Sequence, residues 1–115
     1  MAYIDGFVIA VPVAKKQAYL DSASAFAKLF KEFGATRVVE CWGDDVPDGK
    51  LTDFRRAVKA EEGEVVVFSW VEYPSKQVRD AASVKMRTDE RVKNADMPFD
   101  GKRMIFGGFN PLLDE

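Results

Sequence analysis

The stretch Glu64-Val65-Val66-Val67-Phe68-Ser69-Trp70-Val71 decides the fold of this chain. β-branched and aromatic residues dominate it, a composition that favours a β-strand. Side chains alternate between the two faces of a strand, which places Val67 and Val71 on one face and Phe68 and Trp70 on the other. Large apolar residues on both faces of the strand predict a sheet that is buried on both faces.

Outward from this strand, the sequence predicts three more strands and two helices. Alternating or continuous apolar patterns place the four strands at Tyr3 to Val11, Arg37 to Trp42, Glu64 to Val71 and Arg103 to Phe109. Apolar residues at three- and four-residue steps indicate the first helix, with Gly34 as its C-terminal cap; they are Tyr19, Ala23, Phe26, Phe30 and Phe33. Pro74 ends the third strand, and Ser75 can cap a second helix that carries Val78, Ala82 and Met86 on one face. The resulting order is β-α-β-β-α-β in a single domain over residues 1–115.

The connecting segments are less regular. Residues 43–52 form a loop with the turn-formers Pro47, Asp48 and Gly49. Residues 54–59 fit either one helical turn or an extended arm that pairs with the strand after Gly63, and we favour the arm. Thr88 is predicted to cap a further helical turn, and residues 98–101 predict a tight turn before the last strand.

This order of elements leaves one face of the sheet uncovered. Two helices can cover only one face of a four-stranded antiparallel sheet. The first strand repeats the two-sided pattern, since Tyr3 and Phe7 alternate with Ile4 and Val8. A monomer rarely exposes a large apolar patch, so we expect a second subunit to pack sheet against sheet. The alternative is that some of these aromatic side chains are simply exposed.

Composition excludes several kinds of chemistry. The 115 residues include no histidine and one cysteine. Histidine acid–base catalysis, histidine-assisted nucleophiles, proximal-histidine haem and histidine-ligated zinc are therefore excluded, as are an internal disulfide and a Cys-Cys metal site. Seventeen basic and nineteen acidic residues give a net charge of −2, which disfavours nucleic acid as a partner. The longest apolar run, residues 7–11, is too short for a membrane span and lacks the order of a signal peptide, so we expect a cytoplasmic protein.

Several long motifs resemble one family. They are Tyr3-Ile4-Asp5-Gly6-Phe7, Glu40-Cys41-Trp42-Gly43-Asp44-Asp45-Val46-Pro47, Glu64 to Trp70 and the ending Met97-Pro98-Phe99-Asp100-Gly101-Lys102-Arg103-Met104-Ile105-Phe106-Gly107-Gly108-Phe109. The chain is similar to the YbaA-like family of small bacterial proteins, a domain of unknown function. The resemblance covers nearly the whole chain and implies an α+β, ferredoxin-like unit that forms a dimeric α+β barrel through its sheets. It implies no established activity, and the proposed tie of some members to a signal-recognition-particle RNA has no support in the composition.

The strands carry three charged residues that are candidates for catalysis: Asp5, Glu40 and Arg103. If their faces coincide, two carboxylates and a guanidinium would meet in a partly buried, aromatic-lined space. A desolvated carboxylate there would have a raised pKa and could act as an acid or base. The alternative is a set of structural ion pairs.

A second group of residues suits a ligand. Fold relatives of the family hold flat, apolar substrates between sheet and helices, and Trp42, Ser69 and Trp70 would line such a pocket. These aromatic residues would equally suit an ordinary core or a dimer interface. Ser69 has no histidine partner, so it is no triad nucleophile.

Other features favour structural explanations. Cys41 is expected in the core, because strand alternation places it with Val39, and the neighbouring carboxylates disfavour a reactive thiolate. The acidic loop around Asp44, Asp45, Asp48 and Asp53 fails the spacing of a calcium loop, so no metal is expected. Basic residues of the second helix alternate with acidic ones and indicate a solvated face. Gly107 and Gly108 are expected to permit close approach of a neighbouring element.

The sequence therefore predicts a cytoplasmic homodimer, without a cofactor, that binds a small apolar or aromatic ligand. An alternative is a cofactor-independent oxygenase or isomerase of the dimeric α+β barrel type. A third, less favoured, function is association with RNA.

Overall fold

Four strands form one antiparallel sheet in the computed structural model, which describes residues 2–115. The strands are β1 (Tyr3–Pro12), β2 (Arg37–Trp42), β3 (Glu64–Tyr73) and β4 (Ile105–Phe109). They lie in the order β2-β3-β1-β4. The long central strands β1 and β3 pair from Tyr3 opposite Tyr73 to Pro12 opposite Glu64. The predicted order of strands and main helices is confirmed, and the arrangement is that of an α+β ferredoxin-like unit.

Four helices accompany the sheet: α1 (Lys16–Glu32), α2 (Phe54–Ala57), α3 (Lys76–Thr88) and α4 (Glu90–Lys93). Single 3-10 turns occupy Val13–Lys15 and Gly101–Arg103. No helix within residues 2–115 is long and apolar enough to cross a membrane.

The main core lies between the sheet and the two long helices. Odd-numbered residues of β1 and β3 point to this side, where Tyr3, Val71 and Tyr73 pack with Phe33 at the end of α1 and Ala82 of α3. A second cluster contains Ile9, Val11, Tyr19 and Val67. We call this side of the sheet the helix face.

Two helix boundaries confirm the sequence prediction, and a third corrects it. Gly34 follows α1 with a φ of +121°, a conformation that favours glycine. The Ser75 hydroxyl accepts a hydrogen bond from the Val78 backbone N–H at 3.2 Å and caps α3. The expected cap at Thr88 is wrong, because its hydroxyl donates to the carbonyl of Val84 inside α3. Asp89 caps α4 instead, by accepting from a backbone N–H at 2.8 Å.

The segment after the acidic loop also differs from expectation. Residues 54–57 form the short helix α2 rather than an extended arm. Asp53 caps it by accepting from the Arg56 backbone N–H at 2.7 Å. Behind the helix, Val58 is buried against Ala10 and Val66. The burial of Val58 favours the helical turn, and the local sequence pattern does not predict this burial. The segment covers one end of the sheet face opposite the long helices.

The rest of that opposite face is apolar and uncovered in the single chain, as the two-sided pattern predicted. We call this surface the open face; it carries Ile4, Val8, Phe68, Trp70, Ile105 and Phe109 around a depression of about 460 Å³. Gly6 lies opposite Gly107, and the Phe109 ring lies 3.4 Å from where a Gly6 Cβ would be. Because Gly6 and Gly107 have no side chains, the Phe109 ring has room to lie over them.

Candidate functional site

The three predicted catalytic residues do not meet. Asp5 pairs with Arg79 of α3, Glu40 accepts a hydrogen bond from Tyr19 of α1, and Arg103 pairs with Glu64. Asp5 and Glu40 do share the helix face, as alternation predicts. Arg103 lies in a 3-10 turn before β4, so the prediction that the last strand begins at Arg103 is wrong.

The Asp5–Arg79 pair is built into the junction of sheet and helix. Arg79 Nε lies 3.0 Å from Asp5 Oδ1, and its guanidinium stacks over the Tyr3 ring at 5.0 Å. A Cβ on Gly108 would collide with the Tyr3 hydroxyl and with Arg79 Nη2, which confirms the expected close approach at this glycine. Burial raises the pKa of Asp5, and the charge of Arg79 opposes that shift.

Arg103 is bound to other residues of the protein through its guanidinium. Its guanidinium donates to both carboxylate oxygens of Glu64, at 2.7 and 2.8 Å, to Asp100 and to the Lys59 carbonyl. The Arg103 bonds to Glu64, together with a hydrogen bond from the Glu61 backbone N–H, lower the pKa of Glu64 to about 2. They tie the turn before β4 to the start of β3, away from Asp5 and Glu40.

Glu40 and Tyr19 form the polar centre of the helix face. The Tyr19 hydroxyl donates to Glu40 Oε1 at 2.6 Å, and Tyr19 is buried. Glu40 as a residue remains exposed because β2 is an edge strand, while its hydrogen bond to Tyr19 is partly buried. Partial burial of the carboxyl group raises the pKa of Glu40. Burial and the neighbouring Glu40 carboxylate both raise the pKa of Tyr19.

This pair borders a cavity between the sheet and α1. We call it the inner cavity; its volume is about 210 Å³. Its walls are mainly aromatic and methionine side chains: Phe7, Phe26, Phe30, Phe99, Met86, Met97 and Met104. Its polar side chains are Tyr19, Ser22, Glu40 and Ser69. An apolar cavity with a few convergent polar groups is the usual form of a small-molecule site.

An outer groove of about 280 Å³ adjoins the inner cavity. Tyr19, Ala23 and Glu40 line both spaces and form the wall between them. Trp42 lies in the outer groove, where the Lys16 ammonium is 5.1 Å from the centre of its ring.

The three predicted ligand-binding residues are therefore divided. Ser69 lines the inner cavity and Trp42 the adjoining groove. Trp70 lies on the open face, because successive strand residues point to opposite faces, and its indole N–H donates to Glu72 at 2.9 Å. The single pocket expected around Trp42, Ser69 and Trp70 does not form within this chain.

Other predicted features have structural roles or lie elsewhere. Cys41 is exposed and pairs in register with Phe68 on the open face, so its expected burial in the core is wrong in the single chain. Asp53 of the acidic loop is used as a helix cap. Within residues 2–115, no group of three or more aspartate, glutamate or cysteine side chains is placed to hold a metal ion.

Sequence reasoning missed the importance of Tyr19, although a signal was present. The helical pattern places Tyr19 on the buried stripe of α1, and a buried tyrosine hydroxyl usually has a hydrogen-bond partner. Together they indicate a hydrogen-bond partner for the Tyr19 hydroxyl, although not its identity. The residues from the segment after α4, such as Met97 and Phe99, gave no comparable signal because their position depends on the path of an irregular loop.

Comparison with known proteins shows close relatives over the full length. Residues 2–101 match a family model described as "Protein of unknown function (DUF1428)". The chain is 67% identical over 117 aligned positions to the "Uncharacterized protein YbaA" of Escherichia coli strain K12, with 100% of both chains covered. The protein of the same description from Shigella flexneri matches with the same identity and coverage.

Two solved structures share the fold at low identity. The structure of Rv0793 from Mycobacterium tuberculosis gives a TM-score of 0.54 at 16% identity, covering 100% of this chain and 98% of that one. A dimeric ferredoxin-like protein from an uncultured marine organism gives a TM-score of 0.58 at 11% identity, covering 100% of both chains. These likenesses support the α+β ferredoxin-like fold and carry no activity with them.

Proposed function

The chain belongs to the YbaA family of bacterial proteins of unknown function (DUF1428), and we propose that it binds a small, largely apolar molecule in its inner cavity. The observation that carries the proposal is the combination of aromatic and methionine walls with the Tyr19–Glu40 pair at one end. Apolar walls supply affinity by removing ligand surface from water, and a few polar groups orient the ligand. A cytoplasmic location is part of this proposal, since a free cysteine suits a reducing compartment.

A titration with single-ring aromatic compounds tests the cavity. Toluene and p-cresol added to isotope-labelled protein are expected to shift backbone amide resonances of α1, β2 and the central part of β3, and to raise the Tm. Mass action produces that rise, because a ligand that binds only the folded state stabilises it.

Two alanines of α1 provide a matched pair of variants. Ala23 lines the cavity, whereas Ala25 is exposed on the same helix. Ala23→Leu is expected to fill the cavity and abolish the shifts, while Ala25→Leu leaves them unchanged. Equal binding by both variants, or no binding of either compound to the native chain, would contradict the proposal.

We further propose that the protein is a homodimer that packs through its open face. The apolar side chains there, including Phe68, Ile105 and Phe109, are large and exposed in the single chain. The marine relative by fold is described as dimeric, which supports the same assembly here. Covering the open face would also bury Trp70 in an interface, where aromatic residues are enriched.

Sedimentation tests the dimer with a second matched pair. Phe68 on the open face is 46% exposed and Val84 on α3 is 50% exposed. Phe68→Glu is expected to give a monomer at micromolar concentration, and Ile105→Lys provides an independent disruption. Val84→Glu should sediment like the native protein. A native chain that is already monomeric would exclude the dimer.

One observation favours a second function, catalysis of proton transfer. The raised pKa of Glu40 beside a buried tyrosine hydroxyl suits a general acid or base for an isomerase-type reaction. Any ligand found by titration can be incubated in deuterium oxide and followed by proton NMR. Glu40→Gln is expected to stop deuterium incorporation, and Glu32→Gln on the outer surface of α1 to leave it intact. Exchange that proceeds equally in Glu40→Gln would argue against catalysis at this carboxyl.

A further inference from the structure

The walls of the inner cavity contain acidic and hydroxyl groups but, within residues 2–115, no lysine or arginine. Its four polar side chains are those of Tyr19, Ser22, Glu40 and Ser69. Burying an ionised ligand carboxylate is costly unless a cation or several donors compensate for its lost hydration. A negatively charged ligand would instead share the cavity with the Glu40 carboxyl.

Cations close to the cavity are engaged elsewhere. The Lys16 ammonium lies over the Trp42 ring in the outer groove, on the far side of the Tyr19–Glu40 wall. Arg91, next to the cavity-lining Val92, points away and forms two hydrogen bonds with Glu32. Neither charge is placed to meet a ligand anion inside.

Acceptor positions outnumber donors in the site, since the Ser22 and Ser69 hydroxyls each offer one donor and two acceptor positions. The Tyr19 hydroxyl already donates to Glu40 Oε1. A carboxylate has about four lone-pair positions, so Glu40 retains acceptor capacity after that bond. On the α1 side, the titratable group next to Glu40 is Tyr19. On β3, the uncharged Ser69 lies opposite Glu40, and Lys16 and Cys41 line the outer groove.

Resting on the proposed function, we infer that the inner cavity selects aromatic ligands that donate a hydrogen bond and carry no negative charge, of which phenols are the simplest. The ligand hydroxyl donates to Glu40, and its ring packs among Phe26, Phe99 and the methionines. Aromatic rings and thioethers both make favourable contacts with such a ring.

Three compounds of nearly equal shape test this selectivity: p-cresol, 4-methylanisole and 4-methylbenzoate. Dissociation constants come from amide chemical-shift titrations at pH 7 with the native full-length protein. We expect p-cresol to bind at least about tenfold more tightly than the other two, a difference of roughly 1.4 kcal/mol. The methyl ether lacks the donor, and the benzoate carries the disfavoured charge.

The double variant Tyr19→Phe/Glu40→Leu removes the acceptor without leaving an unpaired hydroxyl, since replacing both partners by apolar groups is nearly neutral for stability. It should bind p-cresol and 4-methylanisole equally well, with the affinity for the ether unchanged from the native chain.

The outcomes separate this inference from the proposed function. Equal native affinities for p-cresol and its ether, both abolished by Ala23→Leu, would overturn the selectivity and leave ligand binding in place. Tighter binding of 4-methylbenzoate would overturn it as well. If none of the three compounds binds, the proposed function fails and the selectivity fails with it.

Discussion

Replacing Arg103 with methionine removes four hydrogen bonds while keeping much of the side-chain volume. The lost partners are both carboxylate oxygens of Glu64, one of Asp100 and the carbonyl of Lys59. Because the turn before β4 is held to the start of β3 through this guanidinium, we expect a loss of stability rather than a loss confined to ligand binding.

The size of the effect depends on how far water reaches the pair. Removing one partner of a fully buried ion pair costs about 3–5 kcal/mol, because the other charge remains buried and unpaired. The side chains of Arg103 and Glu64 are 18% and 8% exposed, so the pair is partly buried and lies between this case and an exposed pair, which contributes about 0.2–1 kcal/mol; we expect about 2 kcal/mol. Unfolding entropy of about 2.1 cal/mol/K per residue gives about 0.24 kcal/mol/K for the 115-residue chain, so the Tm should fall by roughly 8 °C.

The pH dependence provides a second measurement. Arg103, together with the Glu61 backbone N–H, lowers the pKa of Glu64 to about 2, below the ordinary value of about 4.3. Stability from this shift is fully present above the ordinary pKa and is lost as the pH falls through the folded-state pKa. The difference in Tm between native protein and Arg103→Met should therefore narrow as the pH falls from about 5 towards 2.

Lys76→Met is the control for both measurements. Lys76 pairs with Asp80 at 2.9 Å, but the two side chains are 60% and 49% exposed. Exposed pairs four residues apart on a helix contribute about 0.3–0.5 kcal/mol, or about 2 °C here. Thermal unfolding followed by circular dichroism measures all three proteins. An Arg103→Met Tm within about 2 °C of that of Lys76→Met would refute the assignment of Arg103 to a structural ion pair.

Five further substitutions at four positions test other parts of the fold by thermal unfolding. Gly108→Ala forces a Cβ into the Arg79 guanidinium and should cost about 1–3 kcal/mol, whereas Gly101→Ala, whose Cβ meets no atom within 4 Å, should be nearly neutral. Equal effects of these two would contradict the close approach. Ser75→Ala removes a helix cap and should cost about 1 kcal/mol, while Ser75→Gly should cost only a few tenths. Gly34→Ala combines a φ of +121° with a Cβ contact of 2.5 Å and should lower the Tm; an unchanged Tm would exclude strain there.

Strands and long helices were predictable because their patterns are local. The alternation in β1 and β3 comes from a period of two, and it placed Tyr3 and Phe7 on one face and Ile4 and Val8 on the other. The Ser75 cap was predictable for a similar reason, since its acceptor oxygen serves a backbone N–H three residues later. In each case, the interacting groups are close in sequence.

Three of the errors occur where distant contacts decide the local structure, whereas the wrong cap at Thr88 depends on contacts within four residues. Residues 54–57 form a helix because Val58 is buried against β1 and β3, which are remote in sequence. Cys41 follows the alternation of its strand, yet it is exposed because no element within residues 2–115 covers its part of the open face. Arg103 leaves the predicted strand because Glu64 and Lys59 hold it in a turn.

The sequence by itself determined the order of elements, the apolar character of both sheet faces and the absence of histidine chemistry, since each depends on composition or on a local period. Only the tertiary structure decided which partner each charged side chain has. In the sequence, Asp5, Glu40 and Arg103 are all charged residues of predicted strands. In the structure each has a different partner, which is Arg79, Tyr19 and Glu64 respectively. The physical reason is that hydrogen bonds and ion pairs act over a few ångströms, whereas the residues that form these three pairs are 21 to 74 positions apart.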